Sequence, residues 1–231
     1  MARGLFERRN MSKTAILVDG GFYRRVSRML WGQKSPNERA DELYEYCIRH
    51  ITSPREARVE LGKRDLYRLF YYDCPPVRNA SVWHPLLQRN RNFSPSDDSY
   101  KWSTEFFESL ASKRKVALRM GEQITQNARF VLRPEATKDL FLGRRQIADI
   151  TEGDFSVSFK QGGVDMRIGL DIASLSYGRI VDQVILISGD SDFVPAAKTA
   201  RRHGIDFLLD PLNQHIRPEL VAHTDGIETF A

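Results

Sequence analysis

The chain has 231 residues, 41% of them apolar, with a formal charge of +5 and a pI near 9.3. That is enough apolar material for one large α/β core. No apolar run is long enough to span a bilayer, and the two cysteines, Cys47 and Cys74, stand far apart in no metal-ligand spacing. A membrane-spanning chain, a disulfide framework and a zinc site are therefore excluded as expectations, and a reducing cytoplasm is the simplest compartment. The Arg-rich excess charge fits a polyanionic partner.

In chain order, residues 1–12 read as a flexible basic tail, with no long apolar segment behind it to make a secretory signal. "KTAILVDGG" (13–21) reads as a buried strand closing in a tight turn. "FYRRVSRML" has helical spacing that puts Phe22, Val26, Met29 and Leu30 on one face. A break near Gly32 and Pro36 precedes a second helix, "NERADELYEYCIRHI". "DLYRLFYYDCPP" is the next strand, stopped by two prolines. "VRNASVWHPLLQRNRNFSPSDDSY" reads as loop, "KWSTEFFESLASKRK" as helix and "VALRMGEQI" as strand. Residues 125–162 read as a β-rich insertion with short strands at "ARFVLRP", "DLFLG" and "FSVSFKQ", too short for a core of its own. "VDMRIGLDIASLSYG" is a helix stopping at Gly178, and "VDQVILIS" a fully apolar strand. "DFVPAAKTARRHG" is a helix with Pro195 in its first turn and Gly204 at its stop. "IDFLLD" is a strand, followed by a turn, a short helix and a terminal strand.

Strands alternating with helices imply a parallel sheet covered on both faces. Ligands in such sheets sit at the carboxyl ends of strands, where the strand order reverses. Carboxylates gather at these ends. Asp19 closes the first strand, Asp190 and Asp192 follow "VILIS", and Asp165 opens the helix after "KQGGV". Asp73 closes "LFYYD". Adjacent carboxylates repel and call for a cation or a proton. A set of oxygen donors with few histidines suits Mg²⁺ or Mn²⁺ rather than Zn²⁺. Each residue also has a plainer reading. Asp19 fits a turn former, Asp165 and Asp192 fit helix caps, and Asp73 fits a strand-end turn. Asp171, six residues beyond Asp165, is turned away and fits a structural pair.

"ILVDGGFYRR", "KQGGVDMRIGLDIASLSYG" and "VILISGDSDFVPAAKTARRHGI" resemble the NYN domain of the PIN-like nuclease superfamily, in its bacterial single-domain form. "FYYDCPP" adds to the likeness. The resemblance implies a Rossmann-like (PIN-like) α/β sheet over residues 13–231, with the β-rich insertion at about 125–162. It implies a metal-dependent ribonuclease whose catalytic and metal-binding residues are Asp19, Asp165, Asp190 and Asp192. Gly21 stands where many members have Asn, which removes one polar contact and leaves the carboxylates intact.

The expected chemistry is in-line attack on an RNA phosphodiester by activated water, with one carboxylate taking the proton. Asp73, Ser188 and Ser191 are secondary candidates for the site. Arg24 and Arg25 are the expected phosphate contacts, and Tyr23 and Trp83 are expected to stack on bases. Lys113 to Lys115, Arg144, Arg145, Arg201 and Arg202 are further basic candidates, each also readable as a solvated face. A homo-oligomer is compatible with the sequence. The alternative function is an RNA-binding or regulatory module with weak or no cleavage. A haloacid-dehalogenase-type phosphatase would need a second Asp where Gly21 stands. A topoisomerase-primase domain would need Glu where Asp19 stands. A dinucleotide enzyme would need G-x-G-x-x-G after the first strand.

Overall fold

The computed structural model describes residues 11–52 and 63–231, so most of the expected basic tail, residues 1–12, lies outside the described residues. The chain forms two compact units. The first comprises residues up to 73, then 105–121 and 163–231, and the second comprises 74–104 and 122–162.

The first unit is built on a parallel six-stranded sheet. In chain order its elements are β1 (Met11–Asp19), α1 (Gly20–Trp31), α2 (Pro36–Thr52) and β2 (Lys63–Asp73). The far part of α3 (Asp98–Ala111) and the numbered strand β5 (Val116–Met120) follow, separated from β2 by β3 (Ala80–His84) and β4 (Arg89–Phe93) of the second unit. After β6 (Glu122–Leu132), α4 (Pro134–Phe141) and β7 (Phe155–Gly162), also of the second unit, come α5 (Val164–Tyr177) and β8 (Gln183–Ile187). The chain closes with α6 (Val194–Arg202), β9 (Asp206–Asp210), α7 (Pro218–Val221) and β10 (Gly226–Ile227). The strand order is β10-β9-β8-β1-β2-β5. The chain moves outward from β1 through β2 to β5, then returns to the other side of β1 at β8. The order thus reverses between β1 and β8, which pair through Val18 and Ile187.

Alternation along the central strands feeds two apolar layers, because successive side chains point to opposite faces. Ala15 and Leu17 of β1 pack with Phe70, Tyr72, Leu186 and Leu209 and with Ile168, Ile172 and Ala197 from α5 and α6. On the other face Tyr71 meets the rings of Phe106 and Phe107 of α3. Tyr23, Leu43, Tyr46 and Cys47 of α1 and α2 are fully buried. Of the four residues read on one face of α1, Phe22 and Val26 are buried and Met29 and Leu30 are exposed, while Tyr23 is fully buried. No helix among the described residues is long and apolar enough to cross a membrane.

The second unit holds two antiparallel pairs, β3 with β4 and β6 with β7. The β3–β4 hairpin occupies a stretch that reads as loop. "RNRNF" has little strand propensity of its own. Packing compensates: His84 meets Phe130 and Phe155, and Phe93 meets Phe130 and Phe159. "DLFLG", expected as strand, instead completes α4, with Pro134 in its first turn. Proline there lacks only an N–H that the helix start leaves unpaired anyway.

Candidate functional site

The strand-end carboxylates of the first unit divide by what already satisfies them. Asp73 is 1% exposed and accepts from Tyr71 Oη and Arg24 Nη2, each at 3.0 Å. Asp210 at the end of β9 is fully buried, accepting from Tyr46 Oη at 2.6 Å and the Leu212 N–H at 2.8 Å, with His50 Nε2 at 2.8 Å. Both are structural. Asp19 is less enclosed and faces a cleft of about 700 Å³ that opens beside the point where strand order reverses.

Asp19 owes its position to local structure. It ends β1 and caps α1, its Oδ1 accepting the Phe22 N–H at 3.1 Å. Ser188, fully buried past the end of β8, donates its hydroxyl to Asp19 Oδ2 at 3.1 Å and accepts the Asp190 N–H at 3.3 Å. One serine thereby ties the two strand ends together. Gly20 lets α1 start hard against β2, where a Cβ would sit 2.5 Å from the Tyr72 carbonyl oxygen. Asp190 accepts the Asp192 N–H at 3.0 Å and so caps the short 3-10 turn Ser191–Phe193. Gly163, at a φ of +74°, precedes α5 and puts Asp165 in its first turn. Asp165 itself makes no side-chain hydrogen bond among the described residues.

Asp19, Asp190 and Asp192 line the cleft together with Ser188, Gly189 and Ser191. Asp165 is not part of that lining, yet its charge reaches the others. Burial raises the Asp19 carboxyl above its ordinary pKa; the Phe22 and Ser188 hydrogen bonds oppose this, and the charges of Asp165 and Asp73 add to it. The Asp165 carboxyl is also raised, by partial burial and then by Asp190 and Asp192. The cluster is thus short of positive charge. Among the described residues, no group of three or more His, Cys, Asp or Glu side chains is gathered tightly enough to hold a metal ion by itself. The donor chemistry fits a hard cation that keeps much of its water, as Mg²⁺ does, and does not form an all-protein cage.

The basic and aromatic candidates separate clearly. Arg25 is exposed and lines the cleft, its guanidinium 5.9 Å from the centre of the Phe22 ring. Arg24 instead turns to the buried Asp73, which corrects its expected role as a phosphate contact. Tyr23 is also corrected: it is fully buried, with its hydroxyl donated to Glu42 at 2.9 Å, so no ring face is open to a base. Arg145 makes a two-pronged pair with Asp154, both contacts at 2.8 Å, Lys113 pairs with Asp41, and Arg201 with Asp225. Asp171 takes the Tyr72 hydroxyl at 2.8 Å and Arg119 at 3.0 Å, as a structural pair should.

Sequence reasoning missed Gln214, His215 and Arg217, which line the cleft from the segment after β9. Arg217 Nη1 reaches Ser191 Oγ at 3.4 Å. The rule that directed attention to the ends of β1 and β8 applies equally to β9, and would have found them. Met29, read only as part of one face of α1, also lines the cleft.

A family model described as the NYN domain matches residues 105–226, more than half of the chain. A search of curated proteins found no match. Among solved structures, a protein of unknown function from Vibrio parahaemolyticus is similar at 14% identity and a TM-score of 0.46, over 95% of this chain and 93% of that one.

Proposed function

The chain belongs to the NYN domain family, and we propose that it is a divalent-metal-dependent endoribonuclease working at the cleft of Asp19, Asp190 and Asp192, with Asp165 within reach of their charge. The family is nuclease-like, and PIN-like nuclease domains generally use divalent metals. The observation that carries the reading is the cation-seeking cluster: two carboxyls raised partly by one another's neighbours, beside the switch point of a parallel sheet.

Asp19, Asp190 and Asp192 would hold the ion, Mg²⁺ or Mn²⁺, together with its waters. When bound, it supplies positive charge against the phosphate oxygens and makes water easier to deprotonate. Ser188 fixes the orientation of Asp19 and the backbone before Asp190. Asp165, free of hydrogen bonds from the described residues, takes the proton of the attacking water. Arg25 and Arg217, both lining the cleft, hold non-reacting phosphates, and His215 gives a proton to the departing oxygen. Cys47 and Cys74 are both buried, which accords with a reducing cytoplasm.

The test is cleavage of mixed RNA by wild type and Asp190→Asn, in Mg²⁺, in Mn²⁺ and in chelator. The reading expects cleavage by wild type in metal alone and none by the variant. Full-length RNA after incubation of folded wild type with either metal would favour the RNA-binding module without cleavage.

A further inference from the structure

The second unit carries a surface that the cleft does not use. In the β3–β4 hairpin, Ser81 pairs with Asn92 and Trp83 with Asn90, so these four side chains share one face. All four are exposed, and Trp83 is 56% exposed. The opposite face is anchored: Val82 and His84 are 3% and 1% exposed, and His84 and Phe93 pack on the aromatic rings of β6 and β7. A large indole is therefore held outward on a rigid support, between amides that can both donate and accept hydrogen bonds.

Charge selects the partner. From Cys74 to Ser96 the chain has no Asp or Glu, while it has Arg78, Arg89 and Arg91. All three arginines are exposed and take part in none of the salt bridges among the described residues. Arg91 stays near the hairpin through the Phe93 ring, 5.6 Å away. Arg89 and Arg91 pair with His84 and Val82 and so leave β4 on the face opposite Trp83, yet both side chains are exposed; an indole, amides and arginines on one hairpin match unstacked bases on a phosphate backbone. A duplex offers no open base face to Trp83.

We propose that the β3–β4 hairpin is a single-strand RNA-binding platform, with Trp83 stacking on a base, Asn90 and Asn92 contacting base edges, and Arg89 and Arg91, which leave β4 on its other face, contacting phosphates where the strand runs past that edge. The inference rests on the proposed nuclease reading for the partner being RNA.

The test measures anisotropy of a labelled single-stranded RNA and of the matching duplex, with the full chain in chelator, so that neither cleavage nor metal at the aspartates contributes. Trp83→Ala is expected to weaken single-strand binding roughly 5- to 150-fold, the range of one lost base stack. Trp83→Phe should keep much of the affinity. Arg89→Ala with Arg91→Ala should lower the slope of log affinity against log salt by roughly 1.4, about 0.7 for each lost contact. All substitutions are on exposed side chains, and a thermal melt checks each fold; if Trp83→Ala is unfolded, Trp83→Phe and the arginine pair carry the test through loss of tryptophan quenching and the salt slope. Single-strand affinity within twofold of wild type in folded Trp83→Ala, or an unchanged salt slope in the arginine pair, would overturn the proposal. So would tighter binding to the duplex, or competition by polyglutamate as effective as RNA, which would make the hairpin a surface for acidic protein. Because the assay needs no metal, loss of hairpin binding and loss of the nuclease reading are scored separately.

Discussion

Replacing Asp19 by Asn and by Ala separates its charge from its cap. The carboxylate has two attachments, the Phe22 N–H and the Ser188 hydroxyl, each at 3.1 Å. Asn keeps an oxygen for the Phe22 N–H and an amide that can donate to Ser188, whereas Ala keeps neither. Loss of a helix cap costs about 1 kcal/mol, and for a chain of this size that lowers the melting point by roughly 2–4 °C. The charge acts in the opposite direction. Asp19 has a folded-state pKa raised first by burial, so its protonated form is favoured by folding. Its contribution to stability is fully present below the unfolded pKa and is lost as pH rises through the folded one. Each unit of that upward shift corresponds to about 1.4 kcal/mol at neutral pH. In chelator at pH 7, Asp19→Asn should therefore melt at or above wild type, and Asp19→Ala roughly 2–4 °C below Asp19→Asn. As the pH falls towards 4, wild type should gain on Asp19→Asn and the gap should close. Melts by circular dichroism across that range decide it. An Asn variant well below wild type at pH 7, or a gap that does not narrow in acid, would refute the picture of a buried, repelled carboxylate.

The other expectations separate cleft residues from structural ones. Arg25→Ala with Arg217→Ala should weaken RNA binding in Ca²⁺ about equally across sequences and lower the salt slope by roughly 1.4, as filter binding at several salt concentrations would show. Arg24→Ala should instead destabilise the fold by roughly 3 kcal/mol, because it removes a cation from the fully buried Asp73 carboxylate; chemical denaturation measures this. Tyr23→Phe should cost about 1 kcal/mol through the lost Glu42 bond and leave RNA affinity unchanged in the same binding assay.

Much of the site was legible because strand ends announce themselves: an apolar run followed by Asp-Gly or Ser-Gly-Asp marks where β1 and β8 stop. Those same runs place Val18 beside Ile187 in the sheet centre. Less legible was which strand-end acid is taken. Asp73 and Asp210 look like Asp19 in sequence, and what encloses them is Tyr71 two residues before Asp73 and the sequence-distant Arg24, Tyr46 and His50. Arg24 and Arg25 are adjacent, yet a helix turns neighbours about 100° apart, sending one to Asp73 and the other to the cleft. The hairpin at Trp83 escaped notice because "RNRNF" owes its strand conformation to packing by the phenylalanines of β6 and β7, and pairing of that kind leaves little local pattern.

The most direct measurement is an anomalous difference map from a crystal soaked in Mn²⁺. A peak within coordinating or water-bridging reach of Asp19, Asp190 and Asp192, absent from an Asp19→Asn crystal soaked in the same way, is the predicted result. A map with no peak in that cleft, or with manganese bound only elsewhere, would contradict the assignment of these aspartates as the metal centre.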